Sequence, residues 1–461
     1  MFKSIIGGSV AIMAVAALSA GEASAKGTLS TEALYRAGKQ AYVYGFPLYE
    51  MFYTRSGALA GGPGVPAQEL NRVTHSRKLI DDKFRLVTAP NNDTLYSMAW
   101  LDLRGGPVAL AVPDTKGRYY SIAFLDFYTN NAASVGRRTT GTGAGRFLLA
   151  GPTWQGTVPE GATLVRLPTN AVWMLVRILV DGPADLPAVH ALQDQITLTP
   201  SAEMVASAEE RQSVPAVPKD PQLFYDVLNA ALAENPPPAR DAAMLQELAP
   251  LGIGPGRHVD WAALGPEGKA TLARAMTDAQ KDILASQRGF GTEANGWRRL
   301  SAAPDAGGGI GNYGTNYTLR AMVALIGLGA LEPQEASYLP AVHDSAGQAF
   351  NGSKSYELRF PAGALPPVGA FWSLSMYEID ADRRLFFTAN PLGRYTIGDR
   401  TPGLKREADG SLVIEIQATP PSDTANWLPS PAGPFSLMMR AYQPDASIID
   451  GRYQFPAVTA R

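Results

Sequence analysis

Leu95-Tyr96-Ser97-Met98-Ala99-Trp100-Leu101-Asp102-Leu103, Arg104-Gly105-Gly106-Pro107, Val108-Ala109-Leu110-Ala111-Val112 and Pro113-Asp114-Thr115-Lys116-Gly117 follow one another without a break: run, turn, run, turn. Short apolar runs cut by Gly, Pro and Asp predict β-strands joined by tight turns. The same rhythm predicts further strands at 119–127, 146–150, 162–166 and 172–180, so the stretch from Phe84 to Val180 reads as an antiparallel sandwich or barrel-like domain. Strands return after Tyr356, at 356–360, 370–377, 412–417 and 435–442, and Asp409-Gly410 opens one of them as a hairpin turn would.

Between these β regions, from Ser201 to about Pro340, the spacing predicts helices over 221–232, 269–286 and 313–328, with loops at Pro236-Pro237-Pro238 and Gly307-Gly308-Gly309. At the start, Leu34, Ala37, Ala41, Tyr44, Leu48 and Met51 recur at helical spacing, and Pro47 is expected to divide that stretch into two short helices. The fold class expected is α+β, mostly β, with two antiparallel β-sandwich or jelly-roll-like domains joined by a helical middle segment. The domain division is 26–200 (helical preface and first β domain), 201–340 (helical) and 341–461 (second β domain).

Residues 1–25 read as a secretory signal peptide. Lys3 precedes an apolar stretch from Ile5 to Leu18, and Ala23-Ser24-Ala25 supplies a small-x-small cleavage site. The stretch is too short to span a bilayer, so the mature chain is expected to begin at Lys26, with no membrane span, in the periplasm or outside the cell. The formal charge of −2 offers no electrostatic footprint for nucleic acid. Cysteine is absent, which removes thiolate nucleophiles, thiolate metal sites and disulfides. The 46 glycines and 36 prolines suit many short strands and turns.

The polar and aromatic stretch from Asn91 to Asp102 is the first candidate site. In a strand, Tyr96, Met98, Trp100 and Asp102 share one face, with Asn91, Asn92 and Asp93 at its entrance. Asn and Asp are also ordinary turn formers, so a purely structural role stands beside a ligand role. In the second cluster, Asp126 precedes Tyr128 and Asn130. A buried carboxylate needs a partner, and Arg177 is the candidate for an ion pair. His75 is the candidate for proton transfer, since histidine titrates near neutrality. The catalytic candidates are thus His75, Asp93 and Asp126, and the ligand-binding candidates Asn91, Asn92, Tyr96, Trp100, Tyr128, Asn130, Tyr377, Arg394 and Tyr395. Ser373, Ser375 and Tyr377 share a hydroxyl-bearing strand face that looks outward or into a cleft. Arg394 is weighed both as a carboxylate clamp and as a turn brace. The Asn91–Asp93 stretch is expected to face a cleft with Tyr96, Trp100 and Arg394.

No cofactor and no structural metal are expected. The four histidines (His75, His190, His258, His343) lack ligand spacing, and no GxSxG or HExxH motif occurs. The glycines of Gly141-Thr142-Gly143-Ala144-Gly145 lead into a strand and read as a turn, because a phosphate loop needs a following helix.

These segments resemble bacterial proteins that join two domains of unknown function, numbered 1254 on the N-terminal side and 1214 on the C-terminal side. The resemblance runs through Pro90 to Ser97, Trp173 to Gly182, Phe371-Trp372-Ser373, Asn390-Pro391, Arg394-Tyr395, Asn426 to Pro429 and Asp450-Gly451. It implies a two-part β architecture around a helical linker, often exported, and no reaction. Two functions are therefore carried forward. One is a periplasmic enzyme of hydrolytic type acting on a small polar or ring-containing compound in an interdomain cleft. The other is a non-catalytic envelope protein that binds a small ligand, glycan or partner protein.

Overall fold

The computed structural model describes residues 29–62, 65–85, 88–300, 308–381 and 384–461. The signal-peptide reading and Gly307 lie outside the described residues.

Nine strands build the first sandwich: β1 (Thr74–His75), β2 (Thr94–Asp102), β3 (Val108–Val112), β4 (Tyr120–Leu125), β5 (Asn131–Gly136), β6 (Gly145–Ala150), β7 (Thr163–Arg166), β8 (Ala171–Leu179) and β9 (Thr197–Pro200). They form one sheet in the order β1-β2-β8-β4-β5 and a second in the order β7-β6-β3-β9. Alternation of side chains along β2 and β8 assigns the faces. Leu95, Ala99, Leu101, Val172, Met174, Val176 and Ile178 enter the core between the two sheets, together with Val108, Leu110, Phe124 and Leu149. Tyr96, Met98, Trp100, Trp173, Leu175 and Arg177 point the other way.

A two-stranded hairpin, β10 (Thr292–Ala294) and β11 (Trp297–Arg299), precedes the second sandwich. That sandwich comprises β12 (Ala336–Ala341), β13 (Tyr356–Phe360), β14 (Val368–Ile379), β15 (Leu385–Phe386), β16 (Thr396–Gly398), β17 (Leu412–Gln417), β18 (Trp427–Pro429), β19 (Phe435–Pro444) and β20 (Val458–Ala460). Its sheets run β12-β19-β14-β15, with β16 also on β14, and β18-β17-β13-β20. Trp372, Leu374 and Met376 fill its core, so Ser373, Ser375 and Tyr377 occupy the opposite face of β14.

The helices are α1 (Thr31–Ala60), α2 (Leu186–Gln193), α3 (Pro221–Glu234), α4 (Ala242–Leu248), α5 (Trp261–Ser286), α6 (Tyr317–Gly327) and α7 (Ala446–Asp450). The expected break at Pro47 does not occur, and α1 runs as one helix of 30 residues. The ring removes one backbone donor, but burial against α3, α5 and α6 holds the segment helical, and Arg320 on α6 donates Nη2 to the Tyr44 carbonyl at 3.2 Å. Gly45 lets α3 pack closely on α1, since a Cβ there would stand 2.6 Å from Leu228 Cδ2. The opening helix thus packs among the middle helices.

Two edge pairings, β6 with β7 and β17 with β18, are parallel where antiparallel pairing was expected. The connections 151–162 and 418–426 are long enough to return the chain in the same direction, which a tight hairpin cannot do. β12 falls within the segment read as helical. Pro340 argues against an interior strand, and β12 is an edge strand that tolerates it.

Candidate functional site

The outer faces of the two central sheets meet, and polar residues converge there. Strand register places Tyr96, Arg177 and Ser121 side by side across β2, β8 and β4. It likewise places Tyr338, Arg440 and Ser373 side by side across β12, β19 and β14. Asn91 sits at the seam, donating Nδ2 to Tyr442 Oη at 2.6 Å and accepting the Asp93 N–H on Oδ1 at 2.6 Å. Asp93 Oδ2 accepts from Ser373 Oγ at 2.7 Å. Tyr377 donates to the Pro90 carbonyl at 2.6 Å, and Arg440 Nη2 donates to Tyr377 Oη at 2.7 Å and to the Ala89 carbonyl at 3.0 Å. Arg440 Nη1 donates to Ser375 Oγ. Tyr119 packs edge-on against Phe371 and Tyr442 and donates to Glu335 Oε1 at 2.9 Å. Burial pushes the Tyr442 and Tyr119 phenols well above their ordinary range, so both stay neutral.

Asn91 and Asp93 therefore serve at once as an Asx-type turn and as the clip between the two β domains. Asn92 turns aside to donate to the Ile80 carbonyl at 2.6 Å. Tyr96 stands in the seam, its ring 5.1 Å from the Arg177 guanidinium. Tyr395 bonds Asp82 and stacks on Phe387 at 4.9 Å; burial, then the Asp82 carboxylate, push its phenol up to about 12.

The other candidates lie elsewhere. Trp100 is fully buried, stacked on Trp173 at 5.4 Å beneath the helical layer, because the far end of its strand face is covered. Asp126 accepts the Tyr128 and Asn130 backbone N–H groups, both at 2.9 Å, and the Asn130 side chain, closing its own loop. The expected Asp126–Arg177 ion pair does not form: burial raises the Asp126 carboxyl, and Asn130 and then Arg320 oppose it. Tyr128 donates to the Asn235 carbonyl at 2.9 Å, and Asn130 Oδ1 accepts the Tyr313 N–H at 3.1 Å. His75 Nδ1 bonds Ser97 Oγ at 2.8 Å on the opposite face of β2, where burial lowers its pKa. Arg394 is the turn brace, holding the carbonyls of Thr424, Ala425 and Trp427.

Arg440, Tyr442 and Tyr338 were absent from the sequence-derived set. The usable signal was a charge inside the strand pattern of 435–442, on the face of Met438 and Tyr442, an anomaly of the same kind as Arg177. Asp93 is the negative charge that acts on buried Arg440. Asp93→Asn is therefore expected to cost about 1–3 kcal/mol while Ser373 keeps an acceptor. Urea unfolding of the variant checks this, and a loss under about 0.5 kcal/mol would show that Arg440 is satisfied by its neutral acceptors alone.

A groove of about 700 Å³ opens away from the seam, between Phe52, Arg55, Arg104, Met204, Glu210 and Glu234. Its cations are already committed, Arg55 to Glu234 at 2.7 Å and Arg104 to Asp102 at 2.6 Å and to Glu210 at 2.9 Å.

Residues 70–200 match the family model described as protein of unknown function DUF1254, and residues 335–446 match the one described as protein of unknown function DUF1214. The chain joins these two domains. Asn91, Asp93, Tyr96, Tyr119 and Arg177 fall in the DUF1254 match, and Tyr338, Ser373, Tyr377, Arg440 and Tyr442 in the DUF1214 match, so the seam is where the two domains meet. No curated protein matches. The crystal structure of the VPA0106 protein from Vibrio parahaemolyticus is 28% identical, covering 93% of this chain and 100% of that one at a TM-score of 0.68. The fold described above is thus shared along the length of the Vibrio protein. An uncharacterized protein from Burkholderia cenocepacia is 14% identical, covering 93% of this chain and 94% of that one at a TM-score of 0.41.

Proposed function

We propose that this is an exported protein of the bacterial envelope that binds a small polar or ring-bearing compound in the seam between its two β domains. The observation that carries the reading is which residues of the central strands keep solvent contact. On β2 and β8 these are Tyr96, Met98 and Trp173, all on the seam face, while every residue of the opposite face is buried. Tyr338 on the facing sheet is also partly exposed. Aromatic and apolar walls with a few converging polar groups are the usual make-up of a small-molecule site.

Binding has more support than hydrolysis. A nucleophile needs both a base within hydrogen-bond reach and access to substrate; Ser373 with Asp93 and Ser97 with His75 meet the first condition, but Ser373, Asp93 and Ser97 are all buried. Export is supported by the order of Lys3, the apolar stretch and Ala23-Ser24-Ala25. No helix among the described residues is long and apolar enough to cross a membrane.

The test is a thermal-shift panel of small aromatic and polar metabolites. A ligand at a hundred times its dissociation constant is expected to add about 2.7 kcal/mol of stability to the protein. The same ligand is expected to lose its effect in Tyr96→Ala. A panel without a saturable shift would remove the binding reading, and recovery of a chemically altered ligand would replace it with an enzymatic one.

A further inference from the structure

Among the described residues four arginines are less than a tenth exposed: Arg55, Arg177, Arg320 and Arg440. A buried guanidinium is costly unless an acid or a full set of acceptors surrounds it. Arg55 is bidentate with Glu234 at 2.7 and 2.8 Å, and Arg320 faces Asp241 at 3.7 Å. Arg440 has acceptors for both terminal nitrogens and the charge of Asp93 nearby.

Arg177 is different. Its Nη2 donates to the Gly329 carbonyl at 2.9 Å and its Nε reaches Tyr96 Oη at 3.4 Å. Its Nη1 is buried with no hydrogen-bond partner. The groups acting on it most strongly are the phenols of Tyr96, Tyr338 and Tyr119, none of them a carboxylate. The guanidinium is held in place, because Gly329 has φ +82° and a Cβ there would come within 2.9 Å of Leu175 Cδ1. The turn after α6 can therefore lie directly on β8 and present its carbonyl to Arg177. Beside this fixed cation, on the same strand faces, lie Met98, Leu175 and Trp173, and Met98 and Trp173 reach solvent.

Resting on the seam as a binding site, we infer that its ligand is a monocarboxylate with an apolar or aromatic body. The carboxylate accepts from Arg177 Nη1 and from the neighbouring phenols, and the body lies along Met98 and Trp173. An ionised acceptor supplies the charge-assisted bond that a buried guanidinium lacks here. One cation among neutral phenols suits a single negative charge. A phosphate dianion would call for a second free cation, and Arg440 is already bonded to Ser375, Tyr377 and the Ala89 carbonyl.

The experiment uses the mature protein with benzoate, benzamide, benzylamine and inorganic phosphate, by thermal shift and calorimetric titration. Benzoate is expected to raise the melting temperature by several degrees near saturation, and the other three to leave it unchanged. Arg177→Met is expected to weaken benzoate at least about tenfold. It is also expected to melt no lower than wild type, because an uncompensated buried charge has gone. Should that variant fail to fold, the wild-type comparison of benzoate with benzamide decides alone, since the two differ in charge and little in shape. Benzamide binding as well as benzoate would overturn the carboxylate assignment while leaving the seam a binding site. Benzoate binding undiminished in a folded Arg177→Met, or phosphate competing equally, would overturn it too. Silence of all four probes would remove the carboxylate assignment, whereas the seam reading falls only with the metabolite panel.

Discussion

Asp241→Asn is expected to cost about 3–5 kcal/mol, although the two side chains are nearly the same size. Asp241 is fully buried and accepts from Tyr44 Oη at 3.1 Å and Tyr317 Oη at 3.0 Å, with Arg320 Nη1 3.7 Å away. Arg320 is itself fully buried, ringed by Tyr44, Tyr317 and Tyr128 at 5.0, 5.1 and 5.6 Å. Asparagine preserves the acceptor for one phenol and removes the charge that Arg320 needs, so the penalty is that of an unpaired guanidinium in the interior. Arg320→Met in the same chain is expected to restore most of the loss, because a flexible apolar side chain fills the space without a charge. Chemical denaturation of the two single variants and the double variant measures the coupling directly. A double variant less stable than Asp241→Asn alone would show that Arg320 acts through its ring contacts and its bond to the Tyr44 carbonyl.

Glu50→Gln is expected to stabilise the protein at pH 8 and to do little at pH 4. Burial of Glu50 on α1 pushes its carboxyl up from 4.5 to about 7. A carboxyl raised in the folded state favours folding when protonated. That contribution is fully present below the unfolded value near 4.5 and is lost as the pH rises through about 7. At about 1.4 kcal/mol for each tenfold change in proton affinity, the loss by pH 8 is about 3 kcal/mol. Glutamine carries no charge at either pH, so the stability difference between variant and wild type should grow by roughly that amount from pH 4 to pH 8. Unfolding free energies at several pH values check it, and a difference independent of pH would place the Glu50 carboxylate in water.

What could be read from the chain beforehand followed local pattern. β2 and β8 lie within one residue of the expected spans because their side-chain alternation is framed by Gly, Pro and Asp. β5 was missed because Asn131-Ala132-Ala133-Ser134 holds nothing β-branched or bulky, and its extended form comes from pairing with β4. Pro47 misled because tertiary burial of α1 cancelled a local penalty. In the site, Asn91, Asp93, Tyr96 and Tyr377 could be found as polar groups crowding strand ends. Arg440 showed only as a charge inside a strand pattern, and Tyr338 could not be found, since its meeting with Arg177 depends on which sheets face each other. Arg394 was chosen for its neighbours in sequence, whereas the guanidinium that reaches the seam from the second domain stands at 440.

The clip at Ala89 to Asp93 also bears on how the chain can be assembled. Those residues belong to the first β domain, yet they supply the acceptors for Arg440, Tyr377 and Ser373 of the second. Arg440 and Tyr442 sit on β19, which lies between β12 and β14 in its sheet and is among the last strands to be made. Until β19 arrives, Tyr119 and Asn91 of the first domain have no Tyr442 to meet, and the helical layer borders an unfinished wall. The two halves are therefore expected to depend on each other for stability, since excising either matched segment leaves the donors or acceptors of the seam unpaired.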